Sequence, residues 1–244
     1  MFEKFVTFLI FSFLVFGSLS AHAGITHLAN DASGGTGSSD GTTPVPITVS
    51  ASTQGNLMVA LVTWCCNTGV PTVSDNKGNT WTQLGSAQTD GGGDDWTVFY
   101  YAISTVGGVT SVSVGPNTNG DIGISYGEFS GVNQTSPTDG APAAAVPSST
   151  IADSGALTPT QTGDLLVVMS YNDTATAVPV HGVGFTSMAQ IIPNTTAQGV
   201  GTEYEIDAAA AAIHGKMTWN TSAPVPTIMG AFKPAKIRHK VNNQ

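Results

Sequence analysis

The chain has 244 residues, of which 9% are charged, whereas an average soluble domain has roughly 25%. Its 7 Lys+Arg and 16 Asp+Glu give a net charge of −9. Nucleic-acid binding needs a basic patch, so the composition excludes a nucleic-acid partner, and it equally excludes a long charged helix or coiled coil. The 29 Gly and 13 Pro indicate many turns joining short strands.

The first 23 residues have the pattern of a secretory signal peptide. Lys4 precedes an apolar run from Phe5 to Phe16, and an A-x-A sequence ends at Ala23. The run is shorter than the roughly 20 residues of a membrane-spanning helix, and no second run approaches that length. We therefore expect a secreted protein (extracellular, at the cell surface or in the periplasm) with no transmembrane segment after signal cleavage.

The mature chain is predicted to be all-β, because no segment keeps a helical apolar period over three turns. A flexible Gly/Ser-rich stretch is expected over residues 24–44, and the only helix former, Ala208 to Ala212, is too short for more than a turn or two. A hairpin is predicted over Val73 to Trp81. The predicted strands are Ile47 to Ala51, Leu57 to Trp64, Thr97 to Ile103, Val109 to Val114 and Ile122 to Phe129.

The only two cysteines, Cys65 and Cys66, are adjacent and cannot link distant strands. Because exported thiols are normally oxidised, three alternatives stay open: two buried thiols on opposite faces of a strand, a vicinal disulfide, or a bridge to another chain. No C-x-x-C redox motif is present.

Two halves of the chain are weakly similar. Gly55 to Leu61 resembles Gly163 to Met169 at an offset of 108 residues. Further pairs follow at offsets near 104: Trp81-Thr82 with Phe185-Thr186, Tyr100 with Tyr204, Val112 with Met217, and Gly127 to Phe129 with Gly230 to Phe232. This predicts a single domain over residues 45–233 in which both halves contribute strands to one core, with a crossover over Pro137 to Pro159.

Four motifs carry a resemblance to a known domain type: Gly55-Asn56-Leu57-Met58-Val59, the segment Asp75 to Trp81, Glu128-Phe129-Ser130-Gly131 before Pro137-Thr138-Asp139, and Gly163-Asp164-Leu165-Leu166. Over residues 45–233 the chain resembles a jelly-roll-type domain that recurs in exported bacterial proteins. The resemblance implies an antiparallel two-sheet jelly-roll-like sandwich and export, and it carries over no catalytic residue.

The loop from Asp90 to Trp96 is the first candidate site. Asp90, Asp94 and Asp95 lie in a Gly-rich turn that could offer oxygen ligands, so calcium is the candidate metal ion. Trp96 borders these carboxylates and could stack on a sugar ring, which makes Trp96, Asp94 and Asp95 the candidate ligand-binding residues. Trp64 and Trp219 are expected in the core.

Catalytic patterns are weak. Gly123 to Gly127 matches G-x-S-x-G, but the motif reads as one continuous strand, whereas a nucleophile elbow needs a strand, a sharp turn and a helix. Glu203 and Glu205 share one face of a strand that we expect to face solvent. We therefore predict that the protein is not an enzyme.

The C-terminal tail, residues 234–244, is basic and could contact an anionic surface or the acidic body of a second copy. The sequence favours a secreted, non-catalytic module for extracellular binding or adhesion, with a glycan or cell-surface polymer as the first ligand to test. A structural subunit, in which residues 24–43 or an exposed edge strand build a homo-oligomer by strand pairing, is the alternative, and a secreted hydrolase is the second alternative.

Overall fold

The computed structural model describes residues 24–36, 43–66, 69–93, 95–115, 121–192 and 199–236. These ranges contain strands and irregular segments and no helix, and hence no helix suited to cross a membrane. The strands are β1 (Thr26–Thr36), β2 (Val45–Thr48), β3 (Leu57–Cys65), β4 (Thr72–Asp75), β5 (Thr82–Thr89), β6 (Asp95–Ile103), β7 (Ser111–Gly115), β8 (Ile122–Ser130), β9 (Ala143–Ala145), β10 (Ser148–Leu157), β11 (Asp164–Ser170), β12 (Thr186–Ser187), β13 (Gly201–Ala208), β14 (Ile213–Pro224) and β15 (Thr227–Phe232).

The strands form four antiparallel sheets, two from each half of the chain. The first half has a five-stranded sheet in the order β1-β8-β3-β6-β5 and a three-stranded sheet in the order β2-β7-β4. The second half has a five-stranded sheet in the order β9-β15-β11-β13-β12 and a two-stranded sheet of β10 and β14. The all-β prediction is therefore confirmed, and the architecture is that of a β-sandwich.

Strand register matches the internal repeat. Leu57 pairs with Phe129 in the first half, and Leu165 pairs with Phe232 in the second, at the offsets of the sequence alignment. Thr82 pairs with Tyr101, and Thr186 pairs with Tyr204, so Tyr204 corresponds to Tyr101 and not to Tyr100. The two five-stranded sheets thus have the same strand order and equivalent pairing.

Three hydrophobic clusters occur where one shared core is predicted. The first cluster lies between the two sheets of the first half and contains Trp64, and the third lies between the two sheets of the second half and contains Trp219. The middle cluster joins the five-stranded sheets through residues such as Leu61, Phe99 and Phe232. The halves share the middle cluster because β3, β6, β11 and β15 carry apolar side chains on both faces, as their almost continuous burial shows.

Four local expectations differ from the structure. Thr26–Thr36, expected to be flexible, forms β1 against β8. The Val73 to Trp81 hairpin does not form, because β4 pairs with β7 while β5 pairs with β6 in the other sheet. The predicted crossover carries β9 and β10 of the second half, and residues 209–212 form no helical turn.

Candidate ligand-binding site

The candidate site lies at one end of the five-stranded sheet of the first half, where β3 ends and β6 begins. Trp64 pairs with Trp96 and Cys65 pairs with Asp95 across these two strands. The chain segment before β8 closes the other side, since the N–H of Cys65 donates to the carbonyl of Asp121 at 3.1 Å. Antiparallel register therefore brings the two tryptophans, the cysteine pair and two carboxylates to one edge of the fold.

Trp96 is half-buried and its orientation is fixed from two sides. Its ring stacks on the fully buried ring of Trp64, with centroids 5.9 Å apart and planes inclined by 15°. Its indole N–H donates to the carbonyl of Gly93 at 3.0 Å. Stacking on a buried ring and a hydrogen bond to the preceding loop hold the exposed part of Trp96 in place before any ligand arrives.

Cys65 and Cys66 are joined by a vicinal disulfide, so neither the buried-thiol nor the interchain alternative is what the structure shows. Cys65 is buried, whereas Cys66 is exposed and has φ of +68°, the only positive φ among the described non-glycine residues. The Sγ of Cys65 accepts a hydrogen bond from the N–H of Asp121 at 3.4 Å. Because successive side chains of a strand point to opposite faces, the disulfide lies at the same end of β3 as Trp64 but on the other face, with Cys66 exposed.

The acidic loop is held by its own carboxylate. Asp90 Oδ1 accepts hydrogen bonds from the N–H groups of Gly92 at 3.0 Å and Gly93 at 3.1 Å, which fixes the turn that carries the Trp96 acceptor. Asp94 lies outside the described residues. Within the part of the chain that the structure describes, no three His, Cys, Asp or Glu side chains come together as a metal site, and the calcium prediction rests on the loop sequence alone.

Asp95 connects this loop to the second half of the chain. Burial raises the pKa of the Tyr171 hydroxyl, and the nearby Asp95 carboxylate, its hydrogen-bond acceptor, raises it further. Tyr171 directly follows β11, the strand equivalent to β3. The hydroxyl therefore stays protonated and donates to Asp95, so the candidate loop is anchored across the interface between the halves.

Two glutamates outside this loop, Glu203 and Glu128, are buried although the sequence did not predict it. Glu203, expected on a solvent-facing strand, is fully buried in the second half and accepts the N–H of Gly182 at 2.7 Å. Burial raises the pKa of Glu203 to about 7, and the neighbouring Glu205 adds to the rise. Glu128 is also fully buried, and it accepts the N–H of Thr53 at 2.9 Å and the amide of Asn56 at 2.6 Å. The carboxylates of Glu203 and Glu128 therefore hold neighbouring loops against their strands by hydrogen bonds.

The G-x-S-x-G segment is the middle of the continuous strand β8. The hydroxyl of Ser125 is buried and donates to the carbonyl of Ala189 at 2.6 Å. His214 bonds to Asp153 at 2.8 Å on the exposed face of the β10–β14 sheet. The structure does not assemble a serine, histidine and carboxylate triad from these residues.

Comparison of the chain with protein-family models, curated proteins and solved structures finds no match in any of the three.

Proposed function

We propose that this protein is an exported, non-catalytic β-sandwich module that binds or adheres to a glycan through a platform formed by Trp96 stacked on Trp64, with the Cys65–Cys66 disulfide fixing the end of the strand that carries Trp64. The observation that carries the proposal is the fixed, half-buried ring of Trp96, which stacks on Trp64 and donates its indole N–H to Gly93. Sugar rings present C–H groups that pack on aromatic faces, and a rigid platform loses little conformational freedom on binding.

The carboxylates around the platform supply the polar part of such a site. Asp90, Asp95 and Asp121 lie at the same end of the five-stranded sheet as the aromatic pair. Carboxylate oxygens accept hydrogen bonds from sugar hydroxyl groups, whereas the aromatic surface contacts the apolar face of the ring. The combination of one apolar platform with a few acceptors suits a neutral sugar better than an anionic one.

Export is supported by the signal-like sequence of residues 1–23 and by the disulfide, which persists in oxidising compartments.

The jelly-roll interpretation is supported by strand order. A jelly roll is a long hairpin rolled up on itself, so its first strand neighbours its eighth, its second neighbours its seventh and its third neighbours its sixth. The pairs β1-β8, β2-β7 and β3-β6 follow this scheme. The strand β5 departs from that scheme by joining β6.

A structural subunit assembled by strand pairing is the competing proposal. Its predicted donor, residues 24–43, contains β1, which already pairs with β8 within the chain. The edge strand β5 carries an irregularity between Leu84 and Gln88 that interrupts its pairing, a feature that discourages the addition of a further strand. These observations favour the binding module over the subunit.

The proposal is tested by screening the purified chain on neutral and acidic glycans, with calcium and with a chelator. We expect retention of at least one neutral glycan and a loss of about tenfold or more in affinity for Trp96→Ala, since an anchoring aromatic side chain contributes at least 1–2 kcal/mol. Loss of binding with the chelator would support calcium at Asp90, Asp94 and Asp95.

Trp81→Ala is the matched control. Trp81 is also half-buried, packs against the same first cluster, and donates its indole N–H to Asp75 at 2.8 Å. It lies next to Thr82, which pairs with Tyr101 in the later part of β6, away from Trp96. Trp81→Ala should lower stability and leave binding unchanged. Equal binding by both variants, or no glycan retained by the parent chain together with an oligomeric mass, would overturn the proposal in favour of the subunit.

A further inference from the structure

A cavity lies at the end of the first half's five-stranded sheet that is opposite to Trp96. It has a volume of about 430 Å³, within the roughly 300–1,000 Å³ of typical ligand sites. Its lining consists of the loop after β8 and the start of the C-terminal tail: Val132, Asn133, Gln134, Thr135, Ala235 and Lys236. Gln134 lies against Gly55, just before β3, whereas Cys65 ends that strand. Nine residues of β3 at about 3.3 Å each separate the two sites by roughly 30 Å.

The walls of this cavity are fixed to each other by backbone hydrogen bonds. The N–H of Asn133 donates to the carbonyl of Lys233 at 2.9 Å, and the N–H of Ala235 donates to the carbonyl of Gly131 at 2.7 Å. Asn133 Oδ1 accepts the N–H groups of Thr135 and Ser136, which shapes the loop into a tight turn. The cavity is therefore a preformed feature of the fold.

The chemistry of the lining is cationic and amide-rich. Four lysines occur in the described part of the chain, and one of them, Lys236, lines this cavity, whereas Lys233 precedes the lining segment in the chain. The charge of Lys233 is partly directed to Asp139, whose pKa it helps to lower. Among described residues, neither Gln134 Nε2 nor Lys236 Nζ makes a hydrogen bond, so both donors are available to a ligand.

Among the residues that the structure describes, no carboxylate lines the cavity, although the protein as a whole is acidic. A positive site on an acidic protein attracts anions selectively, because the remainder of the surface repels them. Amide and hydroxyl side chains in the same cavity match the hydroxyl groups of a sugar, and a single lysine matches a single carboxylate. We propose that this cavity binds a carboxylated sugar residue, that is, a uronate unit of an acidic glycan.

The proposal is independent of the Trp96 platform and is tested by affinity electrophoresis of the purified chain through polygalacturonate, with dextran as the neutral polymer. We expect retardation by polygalacturonate only. Lys236→Gln should weaken it about tenfold or more, the loss expected from one charge-assisted hydrogen bond. Gln134→Ala should weaken it with an unchanged melting temperature, and Trp96→Ala should leave it unchanged.

Lys240→Gln is the matched control, because it removes the same charge from the same basic tail four residues further along the chain. It should change the retardation less than twofold. Equal losses for Lys236→Gln and Lys240→Gln would show general attraction by the basic tail and would overturn the site. The absence of retardation, or equal competition by digalacturonate and inorganic phosphate, would overturn it as well.

Discussion

Asp164 occupies in the second half of the chain the position that Asn56 occupies in the first. Asn56 precedes β3 and donates its amide to the buried carboxylate of Glu128, while Asp164 opens β11 and shares a hydrogen bond with the buried Asp139. Burial, then the Asp139 carboxylate, raises the pKa of Asp164 to about 7. Asp139 also accepts the N–H of Thr160 at 2.6 Å. A protonated aspartic acid thus takes the donor role that an amide takes in the other half.

The raised pKa of Asp164 predicts that stability falls as pH rises. A carboxyl whose pKa is near 7 when folded and 3.8 when unfolded stabilises the fold below pH 4, and this contribution is lost between about pH 4 and pH 7. At about 1.4 kcal/mol per pKa unit, the loss between these two pKa values is at most about 4.5 kcal/mol. Asp164→Asn should remove this dependence and unfold at a higher urea concentration than the parent at pH 8.

Glu203 titrates in the same range, because burial raises its pKa to about 7 as well. Glu203→Gln is therefore the control for Asp164→Asn. Each variant should flatten part of the stability profile between pH 4 and pH 7, and the double variant should flatten it further. A profile of Asp164→Asn that parallels the parent over this range would show that Asp164 is ionised in the folded protein.

We expect the removal of the Glu128 carboxylate to lower stability strongly without changing any ligand contact. It accepts hydrogen bonds from Asn30, Thr53 and Asn56, which come from three separate segments. Glu128→Ala would leave these donors unsatisfied in a buried place and should cost about 3–5 kcal/mol in urea unfolding.

Asn30→Ala provides the comparison for Glu128. It removes one donor from β1 and leaves the other two bonds in place, so it should cost about 1 kcal/mol. Equal costs for Glu128→Ala and Asn30→Ala would show that the carboxylate acts only through β1.

Much of this fold could be predicted because the responsible signals are local. The apolar run Leu57 to Trp64 is β3 with every residue buried, and the repeat offsets reproduce the strand register. The division into three clusters could not be predicted, since an apolar run buried on both faces does not reveal which sheet covers each face. Strand β1 was missed because its residues are Gly- and Ser-rich, and its pairing with β8 comes from distant residues.

The site was predicted in part for the same reason. Trp96 and its loop stand out in the sequence. Asp121, which contacts Cys65 at this site, is 56 residues away from Cys65 in the chain, so no local sequence signal indicates that contact. Glu128 was not predicted to be buried because its partner Asn30 is 98 residues away. The repeat offered one usable signal: the G-N-L and G-D-L strings at Asn56 and Asp164 indicate that a polar group is needed at the same place in both halves.

The Cys65–Cys66 disulfide is predicted to matter for binding and little for stability. A bond between adjacent residues closes a minimal loop, so its reduction should change the free energy of unfolding by less than about 1 kcal/mol. Reduction should release Cys66 from its positive φ and change the near-ultraviolet circular dichroism of the adjacent Trp64 and Trp96 pair.

Glycan binding by the chain should therefore fall on mild reduction and in the double variant Cys65→Ala, Cys66→Ala, and it should return when the parent is reoxidised. The acidic-glycan cavity, at the other end of β3, supplies the internal reference. Unchanged glycan binding in the reduced parent would show that the disulfide has no role in binding at the Trp96 platform.

Gly127 and Gly230 are equivalent positions of β8 and β15, and both face the middle cluster. A methyl group at Gly230 would collide with Leu84 and come within 3.2 Å of the Phe99 ring. At Gly127 it would meet the terminal methyl of Met188, an unbranched side chain that can move aside. Gly230→Ala should therefore cost about 1–3 kcal/mol, and Gly127→Ala should cost less than about 1 kcal/mol.

These two variants also test whether the halves unfold together. Because the middle cluster contains side chains from both halves, Gly230→Ala should lower the midpoint of one cooperative thermal transition without splitting it. Calorimetry distinguishes the outcomes, since a calorimetric enthalpy equal to the van't Hoff enthalpy indicates one unit. Two transitions, of which only one shifts in Gly230→Ala, would mean that the first and third clusters suffice to stabilise each half alone.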